Sequence, residues 1–375
     1  MLMNIALLLT FVISILTYAV IRVKFLFEAK VWVSILAVLF MFFLPVAAII
    51  LQRINIGRSF HLIISWISYP VFAFFALFIS FLIVRDLLYL FIKLLLFVFP
   101  DSHFLMKIVE TPINGLVLSI VTLIFFIYGI WNAYTPTLKS VQLYTKLDSL
   151  NGLKALQLSD IHVSDLTPTS FVERIVRISN EANPEIIFLT GDLTDGNFNE
   201  LRSKIEILKQ LKADKGKYFI TGNHEYFNEK DSILSIMEEI GFKVLQNEGE
   251  YIFKEKLYVG GINDYIAGRF KDEPSDPEKA LNNYTGEGYK ILLAHQPKSI
   301  KNKATMNYDL ILSGHTHGGQ FFPGNLLVYL DQPYIKGLYD IDGTKLYVSQ
   351  GTGFWGPPIR VGTTPEITLF EFSND

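Results

Sequence analysis

The stretch Leu312-Ser313-Gly314-His315-Thr316-His317-Gly318-Gly319-Gln320 decides how the rest of this chain is interpreted. It follows an apolar run and carries two histidines one residue apart, surrounded by glycines. Neutral imidazole is the commonest protein ligand for transition metals. Side chains at positions i and i+2 also share one face of any strand, so the pair alone is equally compatible with a polar strand edge. The other strand ends of the chain distinguish the two interpretations.

Composition separates an apolar part of the chain from a part that resembles a soluble domain. Of the 375 residues, 50% are hydrophobic and 18% are charged, and the mean hydropathy is +0.33. The apolar excess lies in about the first 135 residues. The net charge of -3 provides no basic surface for nucleic acid. Cysteine is absent, so any metal must be held by His, Asp, Glu or Asn.

Residues 1–139 are predicted to form an anchor of about four transmembrane helices. A run of about 20 apolar residues crosses the hydrocarbon core as a helix. Four stretches qualify, namely 2–23, 31–51, 62–84 and 113–131. The shorter stretch 87–99 either lies along the interface or extends the third helix. These spans carry no mid-helix charge, which favours a tether over a transporter.

The positive-inside rule gives a narrow preference for the orientation of this anchor. An even number of spans places both termini on one side of the membrane. One face is flanked by Arg22, Lys24, Lys30, Arg85, Lys93 and Lys107, and the other by Arg53, Arg58, Lys139 and Lys146. This count favours a second domain outside the cytoplasm. Moving Arg85 and Lys93 across the boundary would remove the difference.

Residues 140–375 are predicted to form an α/β domain, because short apolar strands alternate there with amphipathic helices. The predicted strands are 155–158, 186–189, 218–220, 257–259, 291–293 and 310–312. Residues 170–181, 199–211 and 230–240 have the three- and four-residue apolar spacing of helices.

Five of these strands are followed directly by Asp, Asn or His. In an open α/β sheet, ligands bind at the carboxyl ends of the strands. Five of the seven histidines lie at these ends, while His61 and His103 lie beside predicted membrane spans. We therefore interpret the strand ends as one site, composed of Asp160, His162, Asp192, Asn223, His224, His295, His315 and His317.

The order of these motifs resembles the calcineurin-like metallophosphoesterase superfamily. The blocks Asp-x-His, Gly-Asp, Gly-Asn-His-Glu, a lone His after a strand, and Gly-His-x-His resemble its five signature blocks, over roughly residues 150 to 320. Stretches 261–264, 319–323 and 351–367 resemble its membrane-tethered bacterial branch. The resemblance implies two stacked mixed β-sheets flanked by helices, in a four-layer αββα arrangement.

The resemblance also implies a centre of two divalent metal ions bridged by Asp192. One ion would be held by Asp160, His162, Asp192 and His317, and the other by Asp192, Asn223, His295 and His315. Imidazole and carboxylate ligands suit Mn, Fe, Zn or Co better than Mg. Two adjacent ions lower the pKa of a shared water and hold a phosphoryl group for in-line attack.

His224 would, by the same resemblance, contact the substrate and protonate the leaving oxygen. Capping of the helix that follows is the alternative role. Arg269 and Arg360 are candidates for binding a substrate phosphate, because the guanidinium fork matches phosphate geometry. Asp264, in the stretch 261–264, is a further substrate-binding candidate. Asp165 and Asp195 lie near the site, although charged loop residues are usually only solvated.

The function expected from these features is a membrane-anchored phosphoesterase that cleaves a phosphodiester or pyrophosphate bond, with membrane lipids as partners and a small or lipid-linked substrate. The resemblance includes enzymes that cleave the pyrophosphate of a diacylated UDP-glucosamine. That reaction is cytoplasmic and conflicts with the charge count. A metal-binding scaffold without catalysis and a metal-dependent nuclease are the alternatives, and the acidic balance disfavours the nuclease.

Overall fold

The computed structural model describes residues 2–53, 58–99, 113–253 and 256–374. The chain forms two compact units, Met1–Gly129 and Ile130–Asp375, here called the N-terminal unit and the C-terminal unit. The domain limits expected at 139 and 140 stay a prediction. His103 and Lys107 lie outside the described residues.

Long apolar helices make up the described part of the N-terminal unit. They are α1 (Leu2–Leu26), α2 (Val31–Arg53), α3 (Arg58–Val98) and α4 (Ile113–Ala133). Among the described residues, the helical stretches Leu62–Val98 and Gly115–Ala133 are long and apolar enough to cross a membrane. The expected bundle of about four spans stays a proposal.

Helix α3 differs from its predicted form, because it continues without a break through Pro70 to Val98. The stretch 87–99 therefore extends the third helix, which was one of the two alternatives. As a result Arg85 and Asp86 lie inside the helix, just beyond the predicted span 62–84, which itself carries no charge. The Asp86 carboxylate is held by Arg22 at 2.6 Å, by Arg85 at 2.8 Å and by the Tyr18 hydroxyl at 2.7 Å.

Two mixed six-stranded sheets form the C-terminal unit. The first has the order β1-β14-β2-β4-β6-β7, and only its β14–β2 pair is antiparallel. Its strands are β1 (Thr137–Thr145), β2 (Lys154–Leu158), β4 (Ile186–Thr190), β6 (Lys217–Ile220), β7 (Lys243–Val244) and β14 (Glu366–Asn374).

The second sheet has the order β12-β13-β11-β10-β9-β8 and is parallel in its centre. Its strands are β8 (Glu248–Phe253), β9 (Leu257–Gly261), β10 (Tyr289–Leu293), β11 (Leu310–Ser313), β12 (Gly337–Ile341) and β13 (Thr344–Val348). A short parallel pair, β3 (Val163–Ser164) and β5 (Thr194–Asp195), lies apart from both sheets.

The two sheets stack, since Phe188 and Ile220 of the first sheet share one buried cluster with Leu293 and Leu312 of the second. The other face of the first sheet is covered by α5 (Thr169–Glu181), α6 (Phe198–Ile205) and α8 (Lys230–Glu239). The outer face of the second sheet packs on short 3-10 turns that include Ile300 and Tyr308. The expected mixed sheets are confirmed, but the fourth layer consists of these turns rather than long helices.

All six predicted strands are present, extended by a residue or two at their ends. Strands β1, β8, β12, β13 and β14 were not predicted. The most important of these is β14, which comes from the end of the chain and inserts between β1 and β2. Its partners are distant in sequence, so local patterns carry no signal for its position.

The core between the sheets leads to a testable expectation for stability. Phe188 is fully buried, so Phe188→Ala should lower the free energy of unfolding by about 3–5 kcal/mol. The measurement is chemical denaturation of the detergent-solubilised chain, followed by tryptophan fluorescence. The control Tyr144→Ala changes a side chain on β1 that is 54% exposed and should cost less than about 1 kcal/mol. Equal losses for both variants would contradict the placement of Phe188 in this core.

Candidate metal centre

The structure brings the predicted site residues of the strand ends together at one edge of the stacked sheets. Strands β2, β4 and β6 are neighbours in the first sheet, and β10 and β11 are neighbours in the second. Each ends at the same edge, so their following residues converge. These residues are Asp160 and His162 after β2, Asp192 after β4, Asn223 and His224 after β6, His295 after β10, and His315 and His317 after β11.

Five of these side chains sit on backbone in the left-handed region. The φ angles are 52° at Asp160, 49° at His162, 53° at Asp192, 69° at His315 and 50° at His317. Residues with a Cβ adopt this region rarely and at a cost of about 1–3 kcal/mol each. Strand β11 accordingly ends at Ser313. The backbone from Gly314 to Gly318 is thus irregular and does not continue the strand.

Two glycines permit the close approach of the loops. A Cβ on Gly314 would lie 1.9 Å from Oγ of Ser159 and 2.2 Å from Oδ2 of Asp160. A Cβ on Gly222 would lie 2.2 Å from Oδ1 of Asp192. Any larger residue at either position would displace a site carboxylate.

The first group of possible ligands consists of Asp160, His162 and His317, whose donor atoms lie within 4.8 Å of one another. Nε2 of His162 and Nε2 of His317 are 3.0 Å apart, and Nε2 of His317 is 3.5 Å from Oδ1 of Asp160. The Asp160 carboxylate is fixed by the backbone N–H of His315 at 2.9 Å and by the hydroxyl of Ser159 at 2.5 Å. One cation would be within reach of all three side chains.

The second group consists of Asp192, His295 and His315, again within 4.8 Å. Nδ1 of His295 donates to the carbonyl oxygen of Thr190 at 2.7 Å, which turns Nε2 toward Oδ2 of Asp192 at 3.2 Å. The same Oδ2 lies 3.7 Å from Nε2 of His162. Asp192 thus stands between the two groups, as a bridging ligand would.

The donor atoms fit divalent cations. Nε2 of His295 and Oδ1 of Asn223 are buried and have no hydrogen-bond partner among the described residues. Buried polar atoms are rarely left unsatisfied, and Nε2 of His295 faces the Asp192 carboxylate at 3.2 Å. A cation would satisfy them. The carbonyl oxygen of Thr190 also fixes the orientation of the His295 ring, as carbonyl groups behind metal-binding histidines commonly do.

The charges of the site favour the same conclusion. Burial opposes ionisation of Asp192, but when no metal is bound the protonated His295 outweighs it and holds the pKa of Asp192 well below its usual range. Asp192 in turn outweighs burial and raises the pKa of His295, so a cation would displace the proton on Nε2 of His295. Burial raises the pKa of Asp160. Burial lowers the pKa of His315 to about 3 and, together with Arg360, holds the pKa of His317 well below its usual range. Both imidazoles are therefore neutral, the form that binds metals.

Asp195 connects a possible ligand to the predicted proton donor. Its Oδ2 lies 2.9 Å from Nδ1 of His162, and its Oδ1 accepts a hydrogen bond from Nδ1 of His224. The Nε2 of His224 consequently faces the site, 4.0 Å from Oδ2 of Asp192. Burial lowers the pKa of His224, but the Asp195 carboxylate outweighs it and raises the pKa to about 9. A nearby cation would act in the opposite direction.

Glu225 connects the loop after β4 to the loop after β6 through hydrogen bonds to their backbone. Its buried carboxylate accepts from the backbone N–H groups of Asp192 at 2.9 Å, Leu193 at 2.8 Å and Gly222 at 2.6 Å. The residue lies in the short helix α7 (Asn223–Phe227), where its carboxylate accepts from the backbone N–H of the N-cap residue Gly222. Sequence reasoning placed Asp195 near the site without assigning it a role, and it missed Glu225. The available signal was their position in the blocks after β4 and β6.

The three predicted substrate-binding residues lie in different environments. Arg360 is fully buried and donates to the carbonyl oxygens of Gly353 at 3.1 Å and His317 at 2.7 Å. Asp264 is buried and accepts from Gln296 at 2.8 Å. Arg269 is exposed on the turn Ala267–Phe270. Substrate binding by these residues stays a prediction, and the burial of Arg360 and Asp264 favours supporting roles beneath the site.

Comparison with known proteins agrees with this geometry. Residues 153–319 match the family model described as calcineurin-like phosphoesterase. A protein of Danio rerio called "Transmembrane protein with metallophosphoesterase domain" is 39% identical over 264 residues, which are 66% of this chain and 60% of the relative. An "Uncharacterized metallophosphoesterase" of Helicobacter pylori strain J99 is 40% identical over 62% of each chain. This chain therefore spans about three fifths of the length of these two relatives.

A shorter relative is matched over most of its length. An "Uncharacterized metallophosphoesterase" of Aquifex aeolicus is 33% identical over 227 residues, which are 60% of this chain and 86% of the relative. The expected cofactor, two divalent metal ions of unspecified identity, agrees with the family and with the clusters described above. The chain belongs to the calcineurin-like metallophosphoesterase family.

Proposed function

We propose that this chain is a membrane-anchored phosphoesterase that hydrolyses a phosphodiester or pyrophosphate bond, in a lipid-linked substrate. The observation that carries the hydrolase assignment is Asp192, whose Oδ2 lies 3.2 Å from His295 and 3.7 Å from His162, between two groups of possible ligands. Two divalent cations held there would supply the positive charge that activates a water molecule and neutralises the phosphoryl oxygens.

The ligand assignment in this proposal divides the side chains between two cations. Asp160, His162 and His317 would hold one and Asn223, His295 and His315 the other, with Asp192 shared. Support comes from two groups of donor atoms, Asp160 with His162 and His317, and Asp192 with His295 and His315. A third group, His162 with Asp192 and His224, overlaps both. The identity of the metals is open among Mn, Fe, Zn and Co, because imidazole and carboxylate ligands suit all four.

His224 supplies the proton for the leaving oxygen in this proposal. Its Nδ1 is engaged by Asp195, so the proton that can be transferred is on Nε2, the nitrogen that faces Asp192. The Asp195 carboxylate fixes the ring and stabilises its protonated form. The alternative role of capping a helix has less support, because the Glu225 carboxylate accepts the backbone N–H of Gly222 at the start of that helix.

The anchor and the lipid-linked substrate belong together in the proposal. Two described helices have the length and apolar character of membrane spans, and we extend this to about four spans. A site held at a bilayer encounters lipid phosphoesters at high local concentration. A diacylated UDP-glucosamine requires a cytoplasmic C-terminal unit, whereas a phospholipid headgroup is available on either side. Protease accessibility of residues 140–375 in oriented vesicles separates the two substrate classes.

The scaffold alternative predicts that groups needed for catalysis are missing. In this chain the donor atoms of both groups and the His224–Asp195 pair are present. This observation favours the enzyme over a scaffold that has lost catalysis.

Metal binding tests the shared carboxylate. The purified chain, stripped with a chelator, should bind two Mn²⁺ ions in calorimetric titration. Asp192→Asn should weaken both binding events by more than the roughly 10- to 100-fold effect typical of outer-shell groups, because the shared charge is lost. The control Asp214→Asn changes an exposed carboxylate and should bind as the wild type does. Loss of only one ion in Asp192→Asn would show that the carboxylate is not shared.

Asp195→Asn tests the carboxylate that connects His162 and His224. The amide of Asn has one oxygen and one NH₂ group, so it cannot present an oxygen to both His162 and His224 as the carboxylate does. Mn²⁺ affinity should therefore fall by about 10- to 100-fold. Turnover should remain low even when Mn²⁺ is saturating, since His224 loses the group that orients it. Full recovery of turnover at high Mn²⁺ would limit Asp195 to supporting the metal ligand.

His224→Ala tests proton donation through its dependence on the leaving group. Turnover of an alkyl phosphodiester should fall by about 10²- to 10⁴-fold, because the alkoxide needs a proton. A nitrophenyl ester has a stable leaving group and should lose much less. Equal losses on the two esters would point to a structural role for His224. The enzyme assignment itself is rejected if the wild type hydrolyses no phosphoester with any of the four metals.

A further inference from the structure

Large apolar side chains are exposed around the mouth of the metal centre. Six of them form what we call the apolar rim, namely Phe227, Phe270, Leu326, Leu327, Leu330 and Trp355. Leu330 is 84% exposed and Phe227 is 60% exposed. Scattered apolar residues are normal on a protein surface, whereas large apolar side chains exposed on several segments next to a functional site favour a contact surface.

The aromatic members of the apolar rim border the predicted proton donor. The ring centroids of Phe227 and Trp355 lie 5.7 Å and 6.2 Å from that of His224, in both cases edge to face. Phe270 lies 5.6 Å from Phe227 and extends the aromatic surface away from the site. A leaving group protonated by His224 would therefore depart past aromatic rings.

The leucines of the apolar rim belong to the segment that follows the metal-site histidines. The short helix α9 (Gly324–Val328) packs against the turn His317–Gly319, so closely that a Cβ on Gly319 would lie 2.1 Å from the Cα of Asn325. Leu326 and Leu327 lie on this helix, and Leu330 follows it. Their position is thus fixed to the metal site rather than to a remote loop.

Charge is absent from the segments that carry most of the apolar rim. Residues 321–330 and 355–357, which are exposed or half-buried, contain no Asp, Glu, Lys or Arg. Exposed segments of this composition are unfavourable in water but suit a medium of low dielectric constant. This composition argues for lipid rather than for a charged protein surface as the occupant.

The end of an apolar helix is tied to the same segments. The last turn of α4 belongs to the C-terminal unit, where Nδ2 of Asn132 donates to the carbonyl oxygens of Arg360 at 3.0 Å and Thr363 at 2.9 Å. The Thr363 hydroxyl donates to the carbonyl oxygen of Gln320 at 2.8 Å, and Nε2 of Gln320 donates to that of Trp355 at 2.9 Å. These bonds connect the end of α4, within the C-terminal unit, to the segments that carry the apolar rim.

We infer that the apolar rim docks on the acyl region of the bilayer and places the metal centre at the level of the lipid headgroups. The partner is a lipid surface, and the substrate class is an acylated phosphoester whose chains remain among the lipids while its phosphate reaches the metals. The inference rests on the proposed function for the substrate and on α4 as a span for the docking.

Fluorescence quenching tests the docking without requiring activity. The full chain carries Trp32, Trp66, Trp131 and Trp355, and a variant with the first three changed to Phe reports on Trp355 alone. In reconstituted vesicles, phospholipids with brominated acyl chains should quench its emission, and aqueous iodide should not. Quenching by iodide alone overturns the docking. If the variant does not fold, the difference in quenching between wild type and Trp355→Phe gives the same measurement.

Turnover tests the substrate class with a ratio of two rates. The double variant Leu326→Gln with Leu330→Gln should lower the rate on a vesicle phospholipid, relative to a soluble aryl phosphodiester, by about tenfold or more. The reason is that docking would bury both of these exposed leucines in the lipid, and the variant loses that apolar contact. The control Leu338→Gln changes an exposed leucine on β12 and should leave the ratio as in the wild type. An unchanged ratio in the double variant overturns the role of the apolar rim in substrate presentation.

The two experiments separate this inference from the proposed function. A wild type that hydrolyses neither ester refutes the proposed function, while quenching of Trp355 by brominated chains would still support docking. A wild type that hydrolyses the soluble ester while Trp355 remains open to iodide refutes docking and leaves the hydrolase assignment intact. Protection of Trp355 from both quenchers that disappears on dilution would indicate a second copy of the chain on the apolar rim, and overturns the lipid assignment.

Discussion

The buried carboxylate of Asp192 is the group on which the rest of the site depends. Its Oδ1 accepts the backbone N–H of His224 at 2.8 Å, and its Oδ2 faces Nε2 of His295 at 3.2 Å. A carboxylate with no water around it is stable only if cations or hydrogen-bond donors surround it. Loops from both sheets supply such groups. The other four strand ends must therefore lie close to this one carboxylate.

This arrangement requires backbone that the chain would not adopt by itself. Asp160, His162, Asp192, His315 and His317 all have positive φ. The surrounding structure has to hold such residues in place. The stacked sheets do so through a core that includes Phe188 and Leu312, and Glu225 does so through three backbone hydrogen bonds. The rigidity of the fold is thus used to position ligands rather than only to stabilise the chain.

The functional site could be predicted from sequence further than the fold could. The eight polar residues of the strand ends follow apolar runs, and the resemblance to the family supplied their expected roles. Asp195 was placed near the site but not assigned a role, because a loop Asp near a motif looks the same whether it is solvated or lies between two imidazoles. Arg360 was expected to bind substrate, but its guanidinium is fully buried against His317 and Gly353. The direction in which a side chain points depends on packing that the local sequence does not encode.

The sequence by itself determined the types of residue at each strand end, the apolar helices of the first part of the chain and the family. It could do so because apolar periodicity and motif spacing are local properties. Only the tertiary structure decided that β14 joins the sheet beside β2, that Asp195 connects His162 to His224, and that the end of α4 is bonded to the segments that carry the apolar rim. Each of these depends on contacts between residues far apart in the chain, and such contacts form only when the whole domain folds.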